Sequence, residues 1–511
     1  MRQMLAKYRG EIVATLSFAF ALTLYIFVVT AGRWTRLSPT TRYYDELASA
    51  FSHGHLYLDL QPPATLLALP DPYDPAARSP IPGLDQFVAE TWDLSLYKGR
   101  MYLYWGPVPS LLLTVFKVFS AQQVGDQVLV FIFSVGVLVL QTLLLLKIWR
   151  RFFHDLPVWT LWVGMSAASL IVPTLWMLGS PRIYGAAILS AQFFFLAGFY
   201  SAFSALETET HRTRSLWIAG VLWALAIGSR ITSLGGIALV VAAALLFVPF
   251  APQTKKKVEA LYPKLAALIA LGFPIIVCLA LLGWYNQARF DSPLEVGLRY
   301  QLTWTDLNRI HDRLFSPQYI APSLFNYILM PYKIQGSFPF LEGIGSIQPG
   351  FVDTLGNQTY FVEQFTAGLL FSAPFLLFAC LPVASLMRRL IGAKAGRAPT
   401  SLEELLKPLD WMVLSLPGFA LISFFVILSY FFVTMRFMAD FTFSLALLAA
   451  IGFWQGLASI PKLGLKRILY SVSGMLLSTL TVLGSVLLTL SISDELQRAT
   501  LQVFGRITGL R

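Results

Sequence analysis

About eleven runs of apolar residues, most near twenty residues long, constrain this chain more than any motif in it. A run of that length crosses a bilayer as a helix, with every backbone polar group paired internally. The runs are Ile12 to Ala31, Gln127 to Leu146, Pro157 to Leu178, Ile183 to Ala205, Ser215 to Gly228, Ile231 to Phe250, Lys264 to Trp284, Phe365 to Met387, Asp410 to Ser429, Met438 to Ser459 and Ile468 to Leu490. The pair flanking Ser229-Arg230 also reads as one broken hairpin, so the expected count is 10 to 12. With 56% hydrophobic and only 13% charged residues, the chain lies far from soluble composition, where about a quarter of residues are charged. The fold class is an all-α polytopic membrane protein.

Charge sets its orientation. Arg2, Lys7 and Arg9 precede the first run, which lacks a small-residue cleavage site and is read as a retained anchor with a cytoplasmic N-terminus. Short basic turns then follow alternate runs: Lys147, Arg150 and Arg151; Arg212 and Arg214; Lys255 to Lys257; Arg388, Arg389, Lys394 and Arg397; Lys462, Lys466 and Arg467. Cytoplasmic loops carry such an excess. The long segments Gly32 to Asp126 and Tyr285 to Gln364 then face outward. The net charge of +11 reads as topology-setting charge beside anionic lipid, and no nucleic-acid partner is expected. Cys278 and Cys380 sit far apart in apolar runs and suggest neither a disulfide nor a metal site. Residues 388–409 form the best boundary, between a catalytic-type module (1–387) and a rear group of helices with a short outer tail (410–511).

The two long loops need a reason to exist, since long connections are usually functional or disordered. In the first, Tyr43 to Gly54 reads as an interfacial helix, with Asp45, Glu46, Ser49, Ser52 and His53 on its polar arc. Leu94 to Trp105 reads as a hairpin through a Lys98-Gly99 turn, and Gly106 to Phe119 as a second interfacial helix. In the second loop, Pro317 to Tyr332 is expected to be helical at the interface and Gly343 to Gln358 to be a flap. Asn357-Gln358-Thr359 fits a glycosylation sequon, a pattern short enough to arise by chance.

Taken together, these residues resemble the GT-C class of membrane glycosyltransferases, and most nearly a bacterial subgroup. The resemblance covers roughly Glu11 to Tyr300. It rests on the anchor followed by Tyr44 to Phe51 and His53-Gly54-His55, on Leu69-Pro70-Asp71-Pro72-Tyr73-Asp74-Pro75, on Ser95-Leu96-Tyr97-Lys98-Gly99-Arg100 leading to Gly106-Pro107-Val108-Pro109, on the small-residue helix ending in Ser229-Arg230, and on Tyr285-Asn286 through Glu295. The resemblance implies a GT-C-like fold that takes sugar from a polyprenyl-phosphate donor to an envelope lipid, glycan or protein acceptor. It places this at the outer face of the bacterial cytoplasmic membrane. One departure stands out: where the class has an acidic pair before the interfacial helix, this chain has Thr40-Thr41, and Asp45-Glu46 lie more than a turn further on.

Sugar transfer needs a base for the acceptor proton and cationic groups for the departing phosphate. Asp45 is the first expectation for the base, with Asp93 its strongest rival and Glu46 behind them. For the phosphate the sequence offers Arg100, Arg289 and Arg299, with Lys98 and Arg230 behind, because arginine binds phosphate bidentately. His53 and Tyr104 are expected substrate contacts. Arg436 and Asp440, four apart near a helix end, read as an ion pair. No cofactor is expected, and a requirement for a divalent metal ion stays open. The competing classes are a flippase or other transporter of lipid-linked saccharides and a non-catalytic membrane assembly factor. A transporter should show internal repeats and polar groups at mid-span, whereas here the polar residues gather in the outer loops.

Overall fold

The computed structural model describes residues 8–207, 211–247, 257–344, 362–394 and 408–508. Helix α1 (Arg9–Val29) leads into the first long loop, which holds α2 (Tyr43–Ser52), the hairpin β1 (Ser95–Tyr97) and β2 (Arg100–Tyr102), and α3 (Val108–Lys117). The chain then runs to and fro through α4 (Asp126–Phe152), α5 (Trp159–Ser169), α6 (Val172–Gly179), α7 (Ile183–Glu207), α8 (Arg212–Ser229), α9 (Leu234–Phe247) and α10 (Lys257–Phe290). Among its described residues the second long loop contributes short 3-10 and π turns, one short α-helix (Ile320–Leu324) within the helical stretch expected from Pro317, and the strands β3 (Lys333–Ile334), β4 (Leu341–Glu342) and β5 (Val362–Glu363). Then follow α11 (Cys380–Lys394), α12 (Pro408–Leu428), β6 (Phe432–Val433), α13 (Ala439–Ser459), α14 (Leu465–Leu490) and α15 (Asp494–Thr508).

Among the described residues eight helices are long and apolar enough to cross a membrane. The pair α5 and α6 makes a ninth if taken as one span bent by 50°. The break falls at Leu170-Ile171, where Pro173, in the first turn of α6, supplies no N–H to a preceding helix. The expected count of about eleven is reached only by adding α8, with 18 residues, and α9, with 14. The run expected from Phe365 starts late. Thr366 lies in extended chain, donating its N–H to the Ile344 carbonyl at 3.0 Å, and Pro374 opens a 3-10 turn before the α-helix begins at Cys380.

One apolar core runs from Ala14 to Leu496, through helices on both sides of the linker. Outside it, α1, α10 and α14 present Leu16, Ile276, Leu281, Leu476 and Leu483 outward, the dress of helices in lipid. This is a multi-pass membrane protein. At one end the basic turns meet acids: Lys147 pairs with Glu207 at 2.9 Å, and Arg389 with Asp410 at 3.0 Å. At the other end lie the two long loops. All but Gly343 and Ile344 of the expected flap, the sequon, and most of the linker (395–407) lie outside the described residues.

The hairpin forms as its alternation predicts, with Ser95 opposite Tyr102 and Tyr97 opposite Arg100. Lys98 and Gly99 both take positive φ, 48° and 73°, which a two-residue turn between twisted strands requires. The second loop adds a rung to this edge, since Leu302 donates to the Leu94 carbonyl at 2.9 Å and Ser95 bridges to Gln301. Arg78, buried beneath, donates to the carbonyls of Pro72 and Thr303, so it ties the two loops together.

Helix α2 lies where the sequence puts it, but the first turn of its polar face is covered as well as its apolar face. Asp126, at the start of α4, caps its open N-terminus, accepting from Tyr43 N–H at 3.1 Å, Tyr44 N–H at 3.3 Å and Thr41 Oγ1 at 2.5 Å. Ser110 of α3 donates to the Tyr44 carbonyl at 3.0 Å. The amphipathic pattern predicts a solvated acidic face, but the chain after α3 folds over that face and buries Asp45.

Candidate functional site

At the loop end of the helices the backbone brings together side chains from several separate stretches around a cavity of about 160 Å³. Asp93 supplies its acid. The residue follows the short helix Leu84–Glu90 and has φ +64°, an uncommon conformation that aspartate tolerates better than most. Its N–H donates to the Leu302 carbonyl at 3.2 Å, and its carbonyl accepts from Gln301 Nε2 at 3.0 Å. The side chain is thereby fixed toward Tyr184, whose hydroxyl donates to Asp93 Oδ2. Burial pushes the Asp93 carboxyl above the usual range, while the Tyr184 hydrogen bond and the charges of Arg436 and Arg182 pull it back.

Aromatic rings make most of the wall. Tyr104 lies tilted against Trp105 with centroids 4.1 Å apart, and Trp105 meets Tyr184 edge-on at 5.4 Å. Trp304 and Phe432 face each other at 6.3 Å. The close approach behind Tyr104 depends on Gly106, where a Cβ would fall 2.1 Å from the Gly228 carbonyl oxygen. Only glycine lets this loop lie against the end of α8.

Two arginines enter from the opposite side in different electrical states. Arg230 ends α8 and makes a bidentate pair with Asp440 of α13, at 2.6 and 2.5 Å, so its charge is matched. The sequence assigns Asp440 to Arg436 instead. With Asp440 taken, Arg436 has no carboxylate within ion-pair distance among the described residues. Its guanidinium lies 4.1 Å above the Tyr184 ring, touches Gln364 Oε1 at 3.3 Å, and keeps Nε buried without a hydrogen-bond partner. The parallel pairing of β5 with β6 sets this up, because Gln364 N–H donates to the Val433 carbonyl at 2.9 Å just before Arg436 turns into the cavity. Arg182, exposed at the start of α7, lines the same space.

A second cavity, of about 440 Å³, lies beyond this wall and shares Arg182, Tyr184, Gln364 and Arg436 with the first. A third concavity, of about 750 Å³, is an apolar groove between α3, α8 and α10, lined by residues such as Val108, Leu111, Trp217, Phe273 and Leu281. It abuts the Asp93 cavity through the stretches Trp105 to Val108 and Gly228 to Arg230.

Of the residues singled out from sequence, Asp93, Tyr104 and Arg230 meet at the small cavity. Asp45 does not line it: its Oδ1 pairs with Lys117 Nζ at 2.9 Å and accepts from Val124 N–H at 3.2 Å. Glu46 lies half-buried near Asp126 and Asp45, and burial with these neighbours pushes its carboxyl up to about 7. His53 is exposed, with Nδ1 2.8 Å from the Ser49 carbonyl. Arg289 spends its donors on the Leu103 carbonyl at 2.5 Å and Asn286 Oδ1 at 2.8 Å while stacking on Tyr285 at 3.7 Å. Lys98 pairs with Asp291 at 2.5 Å, Arg299 donates to Asn308 at 2.9 Å, and Arg100 covers the Tyr57 ring at 4.3 Å. Sequence reasoning passed over Arg182 and Tyr184. Their one signal is a cation and a phenol just after Ser180-Pro181, at the mouth of a span. No group of three His, Cys, Asp or Glu among the described residues is placed to hold a metal ion.

No family model matches the chain, and no curated protein matches it. Among solved structures it is similar to the crystal structure of the Archaeoglobus fulgidus oligosaccharyltransferase in the apo form, at 12% identity and a TM-score of 0.43. The match covers 94% of this chain and 56% of that one, so the chain spans little more than half of that protein's length.

Proposed function

We propose that this protein transfers a sugar from a polyprenyl-phosphate-linked donor to an acceptor hydroxyl at the membrane face that carries the two long loops. That face is read as the outer side of a bacterial cytoplasmic membrane. The observation that carries the reading is the presence, in one aromatic-walled cavity, of the Asp93 carboxylate and the Arg436 guanidinium, which has no acid partner among the described residues. The acceptor oxygen attacks the anomeric carbon as its proton passes to Asp93 Oδ1, the oxygen that Tyr184 leaves open. The bond from that carbon to the phosphate oxygen breaks, and the phosphate leaves with the electron pair, its charge met by Arg436 and Arg182. The apolar groove beside the cavity suits a prenyl chain entering from lipid. A cavity at the helix ends, rather than midway between two bundles, favours transfer over transport.

The test is a mass-spectrometric comparison of lipid-linked sugars and envelope glycans in cells with and without the chain. Loss should deplete one glycosylated product and accumulate one polyprenyl-phosphate sugar. Unchanged inventories on both sides would sink the reading.

A further inference from the structure

The second long loop carries an apolar surface that sugar transfer does not use. Strands β3 and β4 pair Lys333 with Glu342 and Ile334 with Leu341, and partners directly opposite share a face. On one face Lys333 and Glu342 lie 4.0 Å apart, and Gln335 Nε2 also donates to Glu342. Ile334 and Leu341 share the other, so the hairpin is amphipathic with a period of two. At its tip Gln335 N–H donates to the Phe340 carbonyl at 2.8 Å, and the rings of Phe338 and Phe340 meet edge-on at 5.8 Å. Leu341 and Phe338 pack against the core, whereas Ile334 is 76% and Phe340 47% exposed. A two-stranded hairpin is at best marginally stable in water, and leaving such side chains wet forgoes what their burial contributes.

The surroundings of the hairpin point to what covers it. Strand β4 packs on α14, which presents Leu476, Leu480 and Leu483 outward. Next to Leu483, a Cβ on Gly484 would lie 3.6 Å from the Ser372 carbonyl oxygen. The helical turn Leu369–Ser372 adds exposed Leu370 and Phe371, and Tyr332, just before β3, meets the Phe371 ring edge-on at 6.3 Å. The lipid-facing stripe of α14 therefore continues through Phe371 and Tyr332 to Ile334 and Phe340. Tyrosine and lysine, here Tyr332 and Lys333, are residues suited to the membrane–water boundary, with an apolar body and a polar tip.

We infer that the β3–β4 hairpin seats Ile334 and Phe340 in the lipid leaflet at the loop end of the helices, with Lys333 at headgroup level, so that its partner is the bilayer surface. The contact does not depend on the transfer reading. It does reach the site: beyond β4, Ile344 and Thr366 exchange backbone hydrogen bonds at 2.9 and 3.0 Å, and two residues before Thr366 the Gln364 side chain accepts from Arg436. The strand that carries the polar neighbour of Arg436 is thereby moored to the membrane.

The full chain in nanodiscs of phosphatidylcholine and phosphatidylglycerol provides the test. With Cys278 and Cys380 replaced by serine, a nitroxide is attached at Ile334→Cys, Phe340→Cys or Lys333→Cys, with Leu483→Cys as the lipid-facing reference and Lys98→Cys as the water-facing one. The ratio of collisions with oxygen to collisions with a water-soluble nickel chelate should be about threefold or more higher at Ile334→Cys and Phe340→Cys than at Lys333→Cys, and should approach that of Leu483→Cys. The unaltered chain gives a second measurement that needs no substitution. Phosphatidylcholine with a diazirine on an upper acyl carbon should cross-link to residues 332–342 as well as to the last turns of α14, read by peptide mass spectrometry. Nickel access at Ile334→Cys and Phe340→Cys equal to that at Lys98→Cys overturns the lipid contact. So does exclusion of both collision reagents, which would mean cover by protein, from this chain or a second copy. Lipid adducts on α14 with none on residues 332–342 overturn it as well.

Discussion

Asp93 is in an environment that works against its own charge. Burial raises its carboxyl, and Tyr184 and the nearby arginines recover part of the loss. A base acts only when ionised, so activity should rise with pH through a limb displaced above the ordinary carboxylate range. Tyr184→Phe removes a hydrogen bond that favours the charged form. The expected result is an acid limb shifted to still higher pH with plateau activity largely kept, read from a pH–rate profile. The same burial makes ionised Asp93 a cost to folding: with the folded value raised, stability falls as pH rises through the window between the unfolded and folded values. Asp93→Asn should therefore leave the thermal midpoint at pH 7 unchanged or raise it. A drop of several degrees would mean that the carboxylate is structural. Asp45 is the contrasting case. In its pairing with Lys117 the carboxylate is buried and the lysine largely so, and removing one partner of a fully buried pair costs about 3 to 5 kcal/mol, an upper bound here. Asp45→Asn should lower the midpoint while per-molecule turnover survives, and adding Lys117→Met should recover part of the loss.

At the scale of elements, α2 shows both the reach and the limit of the sequence. Its helical period was legible, as were the Lys98-Gly99 hairpin and α3, because each depends on neighbours in the chain. What covers α2 was not legible, since its cap, Asp126, and the partner of Asp45 arrive from other elements. The swap at α13 has the same origin: four-residue spacing pairs Asp440 with Arg436, but the bidentate fit of Arg230 from α8 takes the carboxylate and releases Arg436 into the cavity. Two expectations follow. Arg230→Gln strands a buried carboxylate and should lower folded yield sharply, whereas Arg230→Met with Asp440→Leu should restore much of it, measured by size-exclusion in detergent. Glu46, pushed up to about 7, loses stability as pH rises from its unfolded value near about 4.3 toward that point. Glu46→Gln should flatten the thermal midpoint across this range.

On the scale of the whole molecule, alternating helices place the basic turns among the described residues at one end and the described parts of both long loops at the other. The apolar runs foretold this arrangement but overstated the run from Phe365, where chain that reads as continuous apolar helix instead opens with a bridge from Thr366 to Ile344, a single helical turn at Leu369–Ser372 and a 3-10 turn. Hydropathy counts apolar residues and is blind to such breaks. The positive charge at the turn end predicts orientation: with Cys278 and Cys380 replaced, a cysteine at exposed Lys98 should react in intact cells with a membrane-impermeant maleimide, and one at Lys466 only after lysis. The reverse pattern would invert the topology.

The proposed role of Asp93 is to take the acceptor proton. The most direct measurement is transfer from a polyprenyl-phosphate sugar in membranes carrying the unaltered chain, Asp93→Asn or Asp45→Asn at matched folded levels. Asp93→Asn is expected to lose activity by about 10²- to 10⁴-fold while still binding polyprenyl phosphate, with Asp45→Asn within a few-fold of the unaltered protein. Full transfer by Asp93→Asn, or loss confined to Asp45→Asn, would contradict it.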